Sequence, residues 1–217
     1  MISTENILLL LTGLQVTVGA WTGALACSLI LGTIFGLLGS KPLSIPIISP
    51  AISVITMLLR GIPFYVQLLI AYFVVPDVLG LTNINALLVA TGALGLCSAA
   101  YVSQAVISGI AGIGKDQWEL AFVVGYSHLQ AIRYIIMPQL IRSILPALCA
   151  EADQLLKSTA LFCSIGIMEL TGMARNIIAR ELNPVTVYLS IAGIYLTLSI
   201  AINGITHYIR TRMEAGR

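Results

Sequence analysis

Charge is what this sequence has little of. Of its 217 residues, 11 are Lys or Arg and 9 are Asp or Glu, so charged side chains make up 9%, against about 25% in soluble domains. That excludes an ordinary water-soluble globule. The formal net charge of +2 provides no field to steer a polyanion, which argues against a nucleic-acid partner. Histidine is scarce, and His128 and His207 lie too far apart in the chain to argue a site. The four cysteines, Cys27, Cys97, Cys149 and Cys163, show neither CxxC nor Cys/His spacing. Their apolar surroundings read as small buried hydrophobes rather than a metal centre or a disulfide. No basic stretch precedes the first apolar run, and that run is too long for a cleaved signal. Catalytic signatures are missing as well: there is no GxxxxGKS/T phosphate loop, no HExxH, no GxSxG and no carboxylate pair in an aqueous segment. No catalytic constellation appears, so any energetic work would have to come from a partner.

What is abundant is apolar sequence, 58% of the chain, gathered into runs that exceed the ~20 residues needed to cross a bilayer. The reading is an all-α membrane protein with five transmembrane helices in a lipid bilayer, residues 1–217 forming one domain. Ser3 or Thr4 is placed to cap the first helix. Ile7–Leu14 is expected to lie along the interface and Val16–Leu38 to span. Gly19, Gly23, Ala24, Gly32 and Gly36 would let a neighbouring helix approach closely. Lys41-Pro42, Pro46 and Pro50 mark a loop before the second span, Ala51–Val75. Pro76–Asn85 is a polar loop, Ala86–Ile110 the third span, and 111–142 a long polar segment. The fourth span is Ile144–Ile167, with Glu169–Asn183 a second polar loop and Pro184–Ile209 the fifth span.

Polar residues inside these spans are the candidates for function, because an intramembrane charge needs a partner or an aqueous path. Arg60-Gly61-Ile62-Pro63 interrupts the second span. It reads as a kink with Arg60 reaching towards an end, or as a ligand contact. In the third span Ser98, Tyr101 and Gln104 or Ala105 recur three or four residues apart and share a face, either towards a cavity or in helix–helix hydrogen bonds. The fourth span carries Glu151, Asp153, Gln154 and Lys157. Asp153 and Lys157 are spaced i, i+4 with the acid first, the favourable order for an ion pair. Glu151 lies about 200° round the helix from Asp153 at 100° per residue. It shares its face with Gln154 and Ser158, and is either a functional carboxylate or an interhelical partner of Arg60.

The segment Gln117–Pro138, QWELAFVVGYSHLQAIRYIIMP, is amphipathic and sits between two apolar blocks. Gly125 is expected to break it into two short helices, and Pro138 to close the second. Lysine and arginine are unevenly shared: Lys41, Lys115, Arg133, Arg142, Arg210, Arg212 and Arg217 fall on one side, Arg175 and Arg180 on the other. The positive-inside rule makes the central loop and the C-terminus cytoplasmic and puts the N-terminus outside.

These residues resemble a known family. Gln117-Trp118-Glu119-Leu120-Ala121, then Gly125, then Ile136-Met137-Pro138 are similar to the EAA loop of the membrane subunits of type I ABC importers. Arg60-Gly61-Ile62-Pro63, Ala100-Tyr101, Pro138-Gln139, Arg142 with Leu145-Pro146, Leu156–Leu161 and Glu169-Leu170 extend the likeness to the polar amino acid permease branch. The resemblance implies a permease domain with an EAA-type cytoplasmic coupling loop at 111–142. Gln117, Glu119, Ala121, Gly125 and Pro138 would then be the coupling residues. It implies a second permease subunit, identical or related, two cytoplasmic ATPase subunits that bind ATP and magnesium, and an extracytoplasmic solute-binding protein docking on Pro76–Asn85 and Glu169–Asn183. The chain itself would need no cofactor, sit in a bacterial inner membrane, and carry a polar amino acid, cationic ones included, along Glu151, Gln154, Ser158, Ser98, Tyr101, Gln104 and Arg60. Departures from the family pattern touch cargo more than machinery: Leu120 replaces an alanine, Gln104 a glutamate, Ile107 a frequent arginine, Ala150 an asparagine, and Ser158 and Ala160 an aspartate and a serine. A passive channel and a scaffold subunit that never touches cargo are the rival functions.

Overall fold

This computed structural model describes residues 4–40, 46 and 48–215, and every regular element among them is helical. The first, α1, runs unbroken from Thr4 to Gly39, about 54 Å at 1.5 Å per residue. Ile7–Leu14 is therefore not a separate interfacial piece. No proline interrupts it, and Leu10 is buried with Leu170, Ala174, Ile177 and Val187. Thr4 already lies inside the helix. Ser3, Lys41 and Pro42 lie outside the described residues.

α5 spans Ala86–Gly112, and the Asn85 side chain caps it by accepting from the N–H groups of Leu87 and Leu88 at 3.0 and 3.2 Å. It packs against α1 along a stripe of small residues. A Cβ added at Gly32 would lie 2.5 Å from Cβ of Val102, and one at Gly36 would lie 2.5 Å from Cβ of Val106. Between glycine levels the Ser98 hydroxyl donates to that of Ser28 at 2.9 Å. Gly95 meets Cys27, Gly32 meets Val102 and Gly36 meets Val106, so contact positions rise together and the two helices run parallel.

The chain between parallel neighbours must cross back. It does so as α2 (Ile48–Gly61) and α3 (Phe64–Leu69), continued by a π-helical turn (Ile70–Val74) and α4 (Val75–Leu79). The two arms are bent by 104°. Four helices are long and apolar enough to span, and the bent pair, a net crossing by the argument above, makes five. The second span ends later than the sequence suggests. Pro76 falls in the first turn of α4, where its missing N–H costs no hydrogen bond, and the helix stops at Gly80, whose φ of 63° suits glycine.

The polar segment folds as α6 (Lys115–Val123), a turn at Gly125 with φ 91°, and α7 (His128–Ala131). Ser127 and Gln130 form a reciprocal cap: the Ser127 N–H donates to Oε1 of Gln130 at 2.8 Å, and the Gln130 N–H to Oγ of Ser127 at 3.4 Å. Two helices about a glycine are thus present, but Pro138 does not close the second. A π-helical turn, Ile132–Ile136, leads straight into α8 (Met137–Ser158), with Pro138 in its first turn. The wider turn accommodates the proline ring and its lost donor without ending the helix. The helix that carries the fourth span consequently begins near Leu129, well before Ile144, and ends in a 3₁₀ stretch, Thr159–Ile165.

Glu169–Asn183 is a helix for most of its length, not a loop: α9 covers Leu170–Glu181. Leu170, Ala174 and Ile177, at i, i+4 and i+7, bury one face against α1. Glu169 caps it from a fully buried position, accepting from the N–H groups of Thr171 at 2.9 Å and Gly172 at 2.8 Å. α10 (Pro184–Ala215) completes the bundle. Asn6 donates to Glu181 at one end of the molecule, while Gly39 meets Ile107, and Gln117, Arg142 and Arg210 gather, at the other.

Candidate functional site

The bend between α2 and α3 is held by one side chain. Gln67 reaches back and donates from Nε2 to the carbonyls of Leu59 at 2.6 Å and Ile62 at 2.7 Å. Both acceptors are freed by the break at Gly61-Ile62-Pro63, and irregular backbone at membrane depth is tolerated only where such partners exist. The bend turns Arg60 towards α5 and α8. Its Nε donates to the Thr56 carbonyl at 3.2 Å, which fixes the guanidinium to its own helix.

Two adjoining hollows open there. The first, about 510 Å³, is walled by Arg60, Ser98, Tyr101, Glu151, Gln154 and Ser158 together with the Pro63–Phe64 corner. The second, about 630 Å³, shares Arg60, Tyr101, Glu151 and Gln154 and adds Gln104 and Ser108. Every residue of the expected path is thereby brought to one groove between α2, α5 and α8, with Gln104 in the second hollow and Ser98 and Ser158 in the first. The Gln104 amide donates to Ser108 at 3.3 Å. Ser98 bonds to Ser28 of α1 and also lines the first hollow together with Glu151.

On the other side of α8, Asp153 bonds to Lys157 at 2.5 Å and accepts from the Ser199 hydroxyl at 2.5 Å. This pair ties α8 to α10 and stands apart from the groove. Glu151 and Arg60 line the same hollows but form no ion pair with one another among the described residues.

A third hollow, about 690 Å³, lies at the far end of α5 and α8 and is lined by Asp116, Gln117, Gln139, Arg142, Ser143 and Arg210 among others. Gln139 donates to Oε1 of Gln117 at 3.2 Å, joining α8 to α6. Ala121 is buried, and Glu119 is exposed. Around them a bare apolar surface faces outward: Leu120 is 56% exposed, Val123 82%, Val124 72% and Leu129 75%. Gly125 makes the turn within this surface, whereas Pro138 belongs to α8. No group of three or more histidine, cysteine or acidic side chains able to hold a metal occurs among the described residues.

Sequence reasoning missed two structural side chains. Gln67 stands eight residues from one of its acceptors, a reach visible only once the chain bends. Glu169 had a signal, since an acid two and three residues before the capped N–H groups of an i, i+4, i+7 apolar pattern marks a helix start.

The model of the family described as binding-protein-dependent transport system inner membrane component matches residues 28–215. A probable amino-acid ABC transporter permease protein, PatM of Vibrio harveyi, is 30% identical over 192 residues, 88% of this chain and 85% of that one. The glutamine transport system permease protein GlnP of Escherichia coli (strain K12) is 27% identical over 206 residues, 95% of this chain and 93% of that one. Among solved structures, a chain of an amino acid ABC transporter with histidines has a TM-score of 0.85 at 29% identity, covering 98% of this chain and 99% of that one.

Proposed function

Since the chain belongs to the binding-protein-dependent transport system inner membrane components, we propose that it is the permease subunit of an ABC importer for polar amino acids and supplies half of the translocation path. The observation that carries this is the groove: Arg60, Tyr101, Gln104, Glu151 and Gln154 line one open hollow within spanning helices, where polar groups are costly unless they serve a path. The names of the relatives supply the cargo class.

The end of the molecule bearing Lys115, Arg133, Arg142, Arg210 and Arg212 is cytoplasmic in this reading, and the end bearing Arg175 and Arg180 is outside. The N-terminus is then outside, the C-terminus in the cytoplasm, and the membrane the bacterial inner one. The exposed Leu120, Val123, Val124 and Leu129 form a patch on the cytoplasmic side that an ATPase subunit would cover, with Gln117, Glu119, Ala121 and Gly125 shaping it. ATP and magnesium bind in that partner. Nucleotide-driven closure of two ATPases displaces α6 and α7, and the Gln117–Gln139 bond passes the displacement to α8 and its groove, a rigid-body form of alternating access. A second permease, identical or related, closes the groove, and a solute-binding protein delivers cargo at the 80–85 loop and α9.

Co-expression with the ATPase and binding protein of the same genome tests the reading. A stable complex whose ATP hydrolysis rises with loaded binding protein supports it. A chain that purifies alone and conducts solute without ATP is a passive channel and sinks it.

A further inference from the structure

We infer that Arg60 and Glu151 read the two backbone charges of one cargo molecule, Arg60 its α-carboxylate and Glu151 its α-ammonium, and that the permease thereby favours amino acids of zero net charge. This rests on the groove being the cargo path and adds how the cargo is recognised there.

The charge inventory is the starting point. Arg60 and Glu151 both line the 510 Å³ and the 630 Å³ hollows, and no other side chain lining either one is charged. A lone charge within spanning helices is costly and normally pairs with its nearest opposite. Here the opposite charge is available in the same groove, yet the ion pairs among the described residues join Lys157 to Asp153 and Arg180 to Glu5 instead. Two separated, opposite charges on the walls of one hollow are the complement of a zwitterion.

The geometry of each group fits its role. The Thr56 carbonyl takes the Nε–H of Arg60 at 3.2 Å, and the two Nη groups make no hydrogen bond to the described residues. Paired N–H groups on a planar cation match a carboxylate's two oxygens, a recognition that lysine, a point charge, reproduces only in part. Arg60 stands on α2 at the 104° break, and Glu151 on α8, so the two charges belong to different elements. The neutral polar groups, Ser98, Tyr101, Gln154 and Ser158, then face the cargo's side chain. A cationic side chain would meet no second carboxylate in either hollow, because Gln104 is an uncharged amide. The preference is accordingly for neutral polar side chains over lysine and arginine.

The test is equilibrium binding to the purified permease–ATPase complex in lipid nanodiscs, without binding protein. Each of the twenty standard amino acids is screened, and the tightest ligand is compared with its methyl ester, which lacks the carboxylate, and its N-acetyl derivative, which lacks the ammonium. The expected result is a neutral polar amino acid as the tightest ligand, with each derivative weaker by at least about tenfold, the scale of a charged hydrogen bond. Arg60→Gln should weaken the free amino acid about tenfold and abolish its advantage over the methyl ester, leaving the N-acetyl penalty intact. Glu151→Gln should do the converse, and Arg60→Lys should retain only part of the discrimination against the ester. Because each variant is judged by a ratio of two ligands on one preparation, partial misfolding does not imitate the result. Equal loss for both derivatives in Arg60→Gln, a wild type indifferent to esterification, a cationic amino acid as the tightest ligand, or no binding of any amino acid would overturn the inference. If ATP-driven uptake persists in the presence of binding protein, only the two-charge recognition fails. If uptake fails too, the path itself is wrong.

Discussion

Gln139 donates a 3.2 Å hydrogen bond to Gln117, and through it the first turn of α8 is tied to the first turn of α6. The groove and the proposed ATPase patch thus lie on two helices that share a side-chain link. Replacing Gln139 by Ala removes that exposed neutral bond and a second one to the Ile135 carbonyl at 3.0 Å, each worth about 0.5–1.5 kcal/mol. The fold should survive that loss while the transmission of movement loosens. In proteoliposomes the amount of cargo moved per ATP hydrolysed should fall about two- to tenfold, with the complex intact on gel filtration. An unchanged ratio would remove this bond from the coupling route.

Gln67 is expected to matter for stability before it matters for transport. Its amide satisfies the Leu59 and Ile62 carbonyls at the break. Gln67→Ala leaves both acceptors without that donor, at about 1–3 kcal/mol for each one left dry. Gln67→Glu should be no better, since an ionised carboxylate accepts only. Thermal unfolding of the detergent-purified complex is the measurement, and both variants should melt several degrees below wild type.

Glycine positions on α1 divide by what faces them. A side chain at Gly32 collides with Val102, whereas nothing stands within 4 Å of a Cβ at Gly19. Gly32→Leu should destabilise by about 1–3 kcal/mol or more through overpacking, and Gly19→Ala should be tolerated. Expression level together with melting temperature distinguishes the two. Equal tolerance at both sites would contradict the α1–α5 packing.

The spans and the residues of the groove were legible in the sequence for one reason: hydropathy and helical spacing are local signals. Ser98, Tyr101 and Gln104 share a face whatever surrounds them, and so do Glu151, Gln154 and Ser158. What could not be read locally was the partner of each face. Arg60 stayed ambiguous because its position depends on a 104° bend whose brace, Gln67, lies beyond the break. Pro138 reads as a stop because a proline normally ends a helix, and only the preceding π-helical turn lets this one sit in the first turn of α8. α9 was overlooked because Arg175, Arg180 and Glu181 outweigh Leu170, Ala174 and Ile177 in composition, though not in periodicity.

Glu169 makes stability depend on pH. It lies between spans, fully buried. Burial pushes its carboxyl above the ordinary 4.5, more than the opposing bonds from Thr171, Gly172, Tyr195 and Thr17 lower it. With the folded value above the unfolded one, the protonated form is favoured in the folded protein. The contribution is complete below 4.5 and is lost as pH rises through the raised value. Glu169→Gln cannot titrate, so the melting temperature of wild type minus that of the variant should decline from acid towards neutral pH. Two parallel pH profiles would show that this carboxyl does not titrate with unfolding.

The central claim is that an ATP-driven path for an amino acid runs past Glu151. Uptake of a radiolabelled polar amino acid into proteoliposomes holding the permease, its ATPase and its binding protein tests this most directly. The account predicts uptake that requires ATP, and a drop of at least about tenfold in Glu151→Gln, the scale of a lost charged hydrogen bond, in a complex that still hydrolyses ATP. Uptake at the wild-type rate in Glu151→Gln, or uptake that proceeds without the ATPase, would contradict it.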